Sequence, residues 1–136
     1  MYLKPALTSI DVQRMMNACK EEAVKNQWRV SIAIVDEGGY LLHLERMDGA
    51  VLQSPDIAWR KARTSALARN TTKALEAIAK ERPGTLTFPD RLPVQGGVAL
   101  LFDGQCVGAI GVSGAASADD EVIALAGAAL MPASLS

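Results

Sequence analysis

The stretch RVSIAIVDEGGYLLHLERM, residues 29–47, decides the fold. Its first seven residues alternate with period two and are rich in β-branched types, the pattern of a strand on a pleated surface. Asp36-Glu37-Gly38-Gly39 supplies the glycines that a tight reversal needs, and YLLHLERM returns as a second strand. The spacing therefore predicts a β-hairpin. At its far end lie the only histidine of the chain, His43, and the run Arg46-Met47-Asp48-Gly49.

Elements can be read outward on both sides. Thr8 and Asp11 make a capping box with Asp in place of Glu, and Val12, Met16, Cys19 and Ala23 recur at helical spacing behind it. A first helix over about 9–25 follows. Ser54-Pro55-Asp56 reads as an N-cap, a proline in the first turn and an acid facing the dipole. One long helix is expected from there to about Glu81, with Ala58, Ala62 and Ala66 allowing close backbone approach. Residues 83–97 hold three prolines and three glycines without periodicity, a loop. VALLF (98–102), Asp103-Gly104 and CVGAIGV (106–112) form a second hairpin. Ser117 and Asp120 suggest another capping box, opening a last helix with Ile123, Ala126, Gly127 and Leu130 inward. The order α-β-β-α-β-β-α argues for one α+β domain over 1–136, a central antiparallel sheet with helices packed on it. Parallel crossovers of a dinucleotide fold are not supplied.

Composition narrows the function classes. The 136 residues carry 14 basic and 15 acidic side chains, a net charge of −1, so no strong field steers the chain to nucleic acid or an anionic membrane. No stacking aromatic series suits single-stranded nucleic acid, since aromatics are 4%. The opening MYLKPALTSIDVQ lacks the apolar stretch of a secretory signal, and no uncharged apolar run reaches about 18 residues. Two separated cysteines, Cys19 and Cys106, read as buried free thiols, and no metal-ligand spacing is present. A soluble cytoplasmic protein is the expectation.

Several residues are candidates for chemistry. His43 shares a strand face with Leu41 and Glu45, and is either a ligand or general base, or a half-exposed residue paired with Glu45. Arg46 closes its strand where bidentate carboxylate recognition suits a guanidinium, although an internal pair with Asp48 explains both residues equally. Six cations lie between Arg60 and Lys80; Lys61, sharing a face with Ile57, Thr64 and Ala68, is the one expected to point at the sheet. There it either meets an anionic ligand or snorkels over the core edge. Gln95, Gly96 and Gly97 precede the third strand, where glycines permit close backbone approach. Gly108, Gly111 and Gly114 are spaced G-x-x-G-x-x-G, and Asp119, Asp120 and Glu121 would repel phosphate from the helix that follows. Strand-on-helix packing accounts for these glycines.

Four stretches in order, IAIVDEGGYLLHLERMDGA, IAWRKARTSAL, PVQGGVALLFDGQCVGAIGVSGA and ADDEVIALAGAAL, together resemble the GlcG/HbpS family. That family is described as haem-degrading or haem-binding and also supplies the C-terminal domain of PduO-type proteins. The resemblance covers nearly the whole chain. It implies a profilin-like fold and a homo-oligomer of dimers, tetrameric or octameric. Haem or a related tetrapyrrole is the implied cofactor or ligand. Positions that match are Arg46, Asp48, Gly49, Lys61, Gly96, Gly97, Ser113 and Gly114. Three depart: Gln95 stands where an acid is expected, Val98-Ala99 where Leu-Pro is expected, and His43 where a small or apolar residue is expected. The leading expectation is a pocket in which Arg46 and Lys61 converge on a ligand's carboxylates, framed by Gln95, Gly96-Gly97 and Ser113-Gly114. The alternative is a small enzyme, a lyase, isomerase or hydrolase acting on an aromatic or hydroxy acid, with Lys61, Asp48 or His43 moving protons. A third reading is an assembly module without chemistry.

Overall fold

The computed structural model describes residues 1–135. Helix α1 spans Ser9–Lys25; strands β1 (Ser31–Asp36) and β2 (Leu41–Arg46) form the first hairpin. Helices α2 (Ser54–Ala68) and α3 (Thr72–Glu81) and a 3-10 turn (Pro83–Thr87) lead to the second hairpin, β3 (Gly97–Phe102) and β4 (Gln105–Ser113), and α4 (Ser117–Ala128) closes the order. The sheet runs β2-β1-β4-β3, antiparallel at every step. The fold is α+β, as expected.

Both hairpin turns follow from their residues. Asp36 Oδ1 accepts the Gly38 and Tyr40 N–H groups at 2.9 and 3.0 Å, and Gly39 takes φ +82°. Asp103 and Gly104 both lie at positive φ, 48° and 76°, the two-residue turn that matches strand twist. The Thr8–Asp11 capping box forms in both directions.

The two faces of the sheet are packed with residues of different size. Ile32 and Ile34 of β1, with Ile110 and Val112 of β4, meet Met15, Met16 and Cys19 of α1 and Ile123 of α4. On the other face Ala33, Val35 and Ala109 meet Ala58, Ala62 and Ala66 of α2, with the half-buried Trp59 packed alongside. Alternation in RVSIAIV thus separates large from small side chains, not buried from exposed, because β1 is covered on both sides. Where alanines and Gly111 face each other, α2 and the sheet approach to backbone contact. A Cβ on Gly111 would strike the Ala58 carbonyl oxygen and stand 2.5 Å from the Ala62 nitrogen. Of the three spaced glycines Gly111 alone serves strand-on-helix packing: a Cβ on Gly108 would strike the Val35 carbonyl of the neighbouring strand, and one on Gly114 would meet the Arg29 carbonyl. On the opposite face a Cβ on Gly127 would strike the Cys19 sulfur. Cys19 is buried, and that burial pushes its thiol up to about 12, so it stays protonated; Cys106 is free and half-buried.

Three local expectations are corrected. The long helix is broken: Arg69 is left-handed at φ 53°, its N–H and that of Asn70 return to Ala66 and Ser65, and Thr71 caps α3 by accepting the Ala74 N–H at 3.1 Å. Ser54 is not the N-cap. Gln53 holds that position without a side-chain bond, while the Ser54 hydroxyl reaches the Val51 carbonyl and Ser31 Oγ. The last helix is capped by Ala116, not by Ser117; Asp120 is drawn inward, and Ala126 and Leu130 lie outside the core that holds Ile123, Ala124 and Gly127.

Gly111→Ala is expected to lower stability by about 1–3 kcal/mol, since the methyl group has no room without shifting α2. Gly84→Ala, where nothing lies within 4 Å, should change it by under about 0.5 kcal/mol. Urea midpoints of the two variants make the comparison.

Candidate functional site

Lys61 points at the sheet as its helical position requires, and there its amine is held by two acceptors. Nζ donates to the Val112 carbonyl at 2.9 Å and to Asp120 Oδ2 at 3.1 Å. Both residues are 2% exposed. The other oxygen, Oδ1 of Asp120, accepts the Ala115 N–H at 2.9 Å. Burial pushes the Asp120 carboxyl above its ordinary 3.8, opposed by that N–H and by the Lys61 ammonium. This ion pair joins α2, β4 and α4. A Cβ on Gly96 would lie 2.8 Å from Nζ, so the glycine is what lets the chain pass over the lysine.

Arg46 is elsewhere. It lines an open hollow of about 830 Å3 at the far end of the first hairpin, together with Lys20, Arg29, Glu45 and Asp48. Val24, Trp28 and Met47 supply its apolar surface. The expected convergence of Arg46 and Lys61 is therefore not what the structure forms: one cation faces a hollow, the other a buried acid. The internal Arg46–Asp48 pair does not form either. Among the described residues Arg29, Arg46 and Asp48 have no ion-pair partner, whereas Lys20 and Glu45 pair at 2.7 Å. Three cations against two acids leave the hollow with one positive charge in excess.

Backbone geometry sets up this hollow. Ser31 pairs with Arg46 in the hairpin, which brings Arg29, two residues upstream, to the same end as Asp48. Gly49 sits at φ +84°, and a Cβ there would stand 2.7 Å from Arg29 Cδ. Only glycine allows both that turn and the arginine lying across it. Gly114 serves beneath, where a Cβ would meet the Arg29 carbonyl oxygen at 2.7 Å. Ser113 lies in register with Ser31, one strand further in.

The remaining candidates sit apart. The Gly96 carbonyl accepts the Val112 N–H, and the Gly97 N–H donates to Thr72 Oγ1 at 2.7 Å, so this backbone is spent inside the protein. Gln95 donates to Glu121 Oε1 at 3.2 Å. His43 lies opposite Ile34 in the hairpin, with Nε2 3.9 Å from Glu45 Oε1; Glu45 lines the hollow and His43 does not. Among the described residues no three His, Cys, Asp or Glu side chains gather to hold a metal ion, and no helix is long and apolar enough to cross a membrane. Sequence reasoning passed over Lys20, Trp28 and Arg29. Arg29 was recoverable from the hairpin register; Lys20 and Trp28 were not, because they depend on how α1 lies across the sheet.

A family model described as haem degrading protein HbpS-like matches residues 7–129. The chain belongs to the HbpS-like family. Protein GlcG of Escherichia coli K12 is 42% identical over 114 residues, 83% of this chain and 85% of GlcG. A crystallised double mutant of HbpS from Streptomyces reticuli superposes with a TM-score of 0.92 at 34% identity, covering 97% of this chain and 91% of that one. The crystal structure of a PduOC–haem complex superposes at 0.85 with 28% identity, covering 93% and 96%. The HbpS-like sheet and helices are thus shared over nearly the whole chain.

A raised folded pKa means that the native state holds the extra proton, so the contribution of Asp120 is full below about 3.8 and is lost as pH rises through its folded value. Removing the ammonium raises that pKa further and leaves the ionised acid without its cation. Lys61→Met is expected to cost about 3–5 kcal/mol near neutral pH. The deficit against wild type should shrink toward about pH 4, where a protonated Asp120 needs no cation. Urea unfolding across that range checks both.

Proposed function

We propose that this chain is a single-domain cytoplasmic homo-oligomer that binds a flat, carboxylate-bearing ligand of the tetrapyrrole class at the Arg46 hollow. The observation that carries the reading is the pair of unpartnered guanidiniums, Arg29 and Arg46, beside Trp28 and Met47 in a space of about 830 Å3. Small-molecule sites fall in the range of about 300–1,000 Å3. Planar guanidiniums match carboxylates bidentately, and a flat apolar body suits the indole and thioether. The residues present therefore suit the acid edge of haem: Arg29 and Arg46 would hold its carboxylates, with Lys20 nearby and already paired to Glu45. Among the relatives, PduOC is crystallised with haem, and the family description names haem degradation. Bound haem would supply a redox-active iron; the chain's own part is to neutralise the acid groups and shield one face.

Lys61 has no part in this reading, since its amine is held by Asp120 and Val112. Gly49, which seats Arg29, is a positioning residue in it, and Asp48 is the hollow's unpaired acid. His43, three residues before Arg46 on β2 and on the strand face of Glu45, which lines the hollow, is the candidate iron ligand. A second copy is proposed to cover the β2 edge, where Leu41, Leu42 and Leu44 are exposed. An unpaired apolar strand edge of this kind invites pairing.

Haemin titrated into the wild-type protein should give a shifted Soret band, with Arg46→Ala and Arg29→Ala each weakening binding about tenfold. His43→Ala should alter the band's position. An unshifted band, or one indifferent to both arginines, sinks the proposal. Separately, Leu42→Glu with Leu44→Glu should lower the mass found by size exclusion with light scattering. An unchanged mass removes the β2 edge as an interface.

A further inference from the structure

At the opposite end of β2 lies a second cavity, about 380 Å3, lined by Tyr40, Trp59, Arg60, Arg63 and Asp90. Six strand residues, about 20 Å of chain, separate it from the Arg46 hollow. We infer that this cavity is a binding site for a small aromatic carboxylate of one or two rings, held by its ring against Trp59 and Tyr40 and by its carboxylate on Arg60.

The walls are pre-set. Trp59 Nε1 donates to the Gly39 carbonyl at 3.2 Å, which orients the indole and leaves its face, not its N–H, for a guest. Arg63 is fully committed: Nη2 is 3.3 Å from Asp90 Oδ2, Nη1 reaches the same Gly39 carbonyl at 3.5 Å, and its guanidinium lies 5.7 Å from the centre of the Tyr40 ring. Gly39 makes that possible, because a Cβ there would stand 2.7 Å from Arg63 Cγ. Two aromatic surfaces are thereby held before any ligand arrives, which lowers the entropy lost on binding.

Arg60 is the group left to act. Its Nε meets Asp56 at 3.2 Å in an exposed i,i+4 pair, a weak contact that leaves the outer Nη atoms without partners among the described residues. Asp56 and Asp90 offset Arg60 and Arg63, so what draws a monoanion is the open Nη edge of Arg60 and not a surplus charge. A phosphate dianion is a poorer match, since one guanidinium and no cluster of backbone N–H groups face the space. An aliphatic acid would leave the aromatic faces unused. Volume limits the guest to one or two rings, near the lower end of the range for small-molecule sites.

The test uses the full chain labelled with nitrogen-15, following the two indole N–H signals, Trp59 for this cavity and Trp28 for the other hollow. Added 2-naphthoate and benzoate should shift the Trp59 signal saturably, naphthoate binding the more tightly, and Arg60→Gln should weaken that response while leaving any response of Trp28 as in wild type. Benzamide, which lacks the charge, and acetate, which lacks the ring, should each bind at least about tenfold more weakly. Arg60→Gln, an exposed change that spares the fold, should raise the Kd for benzoate about tenfold. The inference is overturned if Trp59 does not respond, if acetate matches benzoate, or if Arg60→Gln binds as wild type does.

Discussion

Helix α2 lies on the sheet without an intervening layer of large side chains, and much of the molecule is arranged around that approach. Three alanines on the helix and Gly111 on β4 bring the two backbones into contact. So close a helix cannot send a lysine outward from its sheet-facing side. Lys61 is accordingly buried, and a buried ammonium requires a fixed anion and a fixed carbonyl. Asp120 and Val112 provide them. The pair ties α2 to the start of α4, which packs on the opposite face of the same strand. Its role is to specify one arrangement of three elements; a buried pair of this kind adds little net stability but is costly to break.

The hollow at the end of the first hairpin is independent of that clamp and rests on a different device. Hairpin register brings Arg29 and Arg46 to one end, and a glycine at positive φ lets the first lie flat across the turn. Neither finds an internal acid. The two guanidiniums stand in partly open space beside an indole and a thioether, with one positive charge in excess across the lining, and the proposed ligand rests on that combination. The cavity near Tyr40 repeats the combination of guanidinium and aromatic on helix α2. A single short strand thus has a cationic, aromatic-edged recess near each end.

Resemblance to the HbpS-like family was legible from four ordered motifs, and the family model confirms it. What those motifs could not convey is the division of labour among their residues. Lys61 and Gly96 belong to the interior clamp, Gly111 to helix packing, and Gly49 and Gly114 to the seat of Arg29. All stand in the matched stretches, and only the packing separates them.

Local patterning was enough to establish the element order apart from the division of the middle helix into α2 and α3, the two hairpins, the apolar stripe and cap of α1, and the inward direction of Lys61. Each depends on interactions within a few residues: alternation, turn glycines, helical spacing, a capping box. The break at Arg69, the burial of Asp120 and the partner of Lys61 were decided by tertiary structure. Asp120 and Lys61 are 59 residues apart, and their meeting depends on how closely α2 and α4 approach opposite faces of the sheet. No periodicity encodes that distance. The hollow is intermediate: its arginines follow from strand register, while Lys20 and Trp28 enter it only because α1 packs across the hairpin.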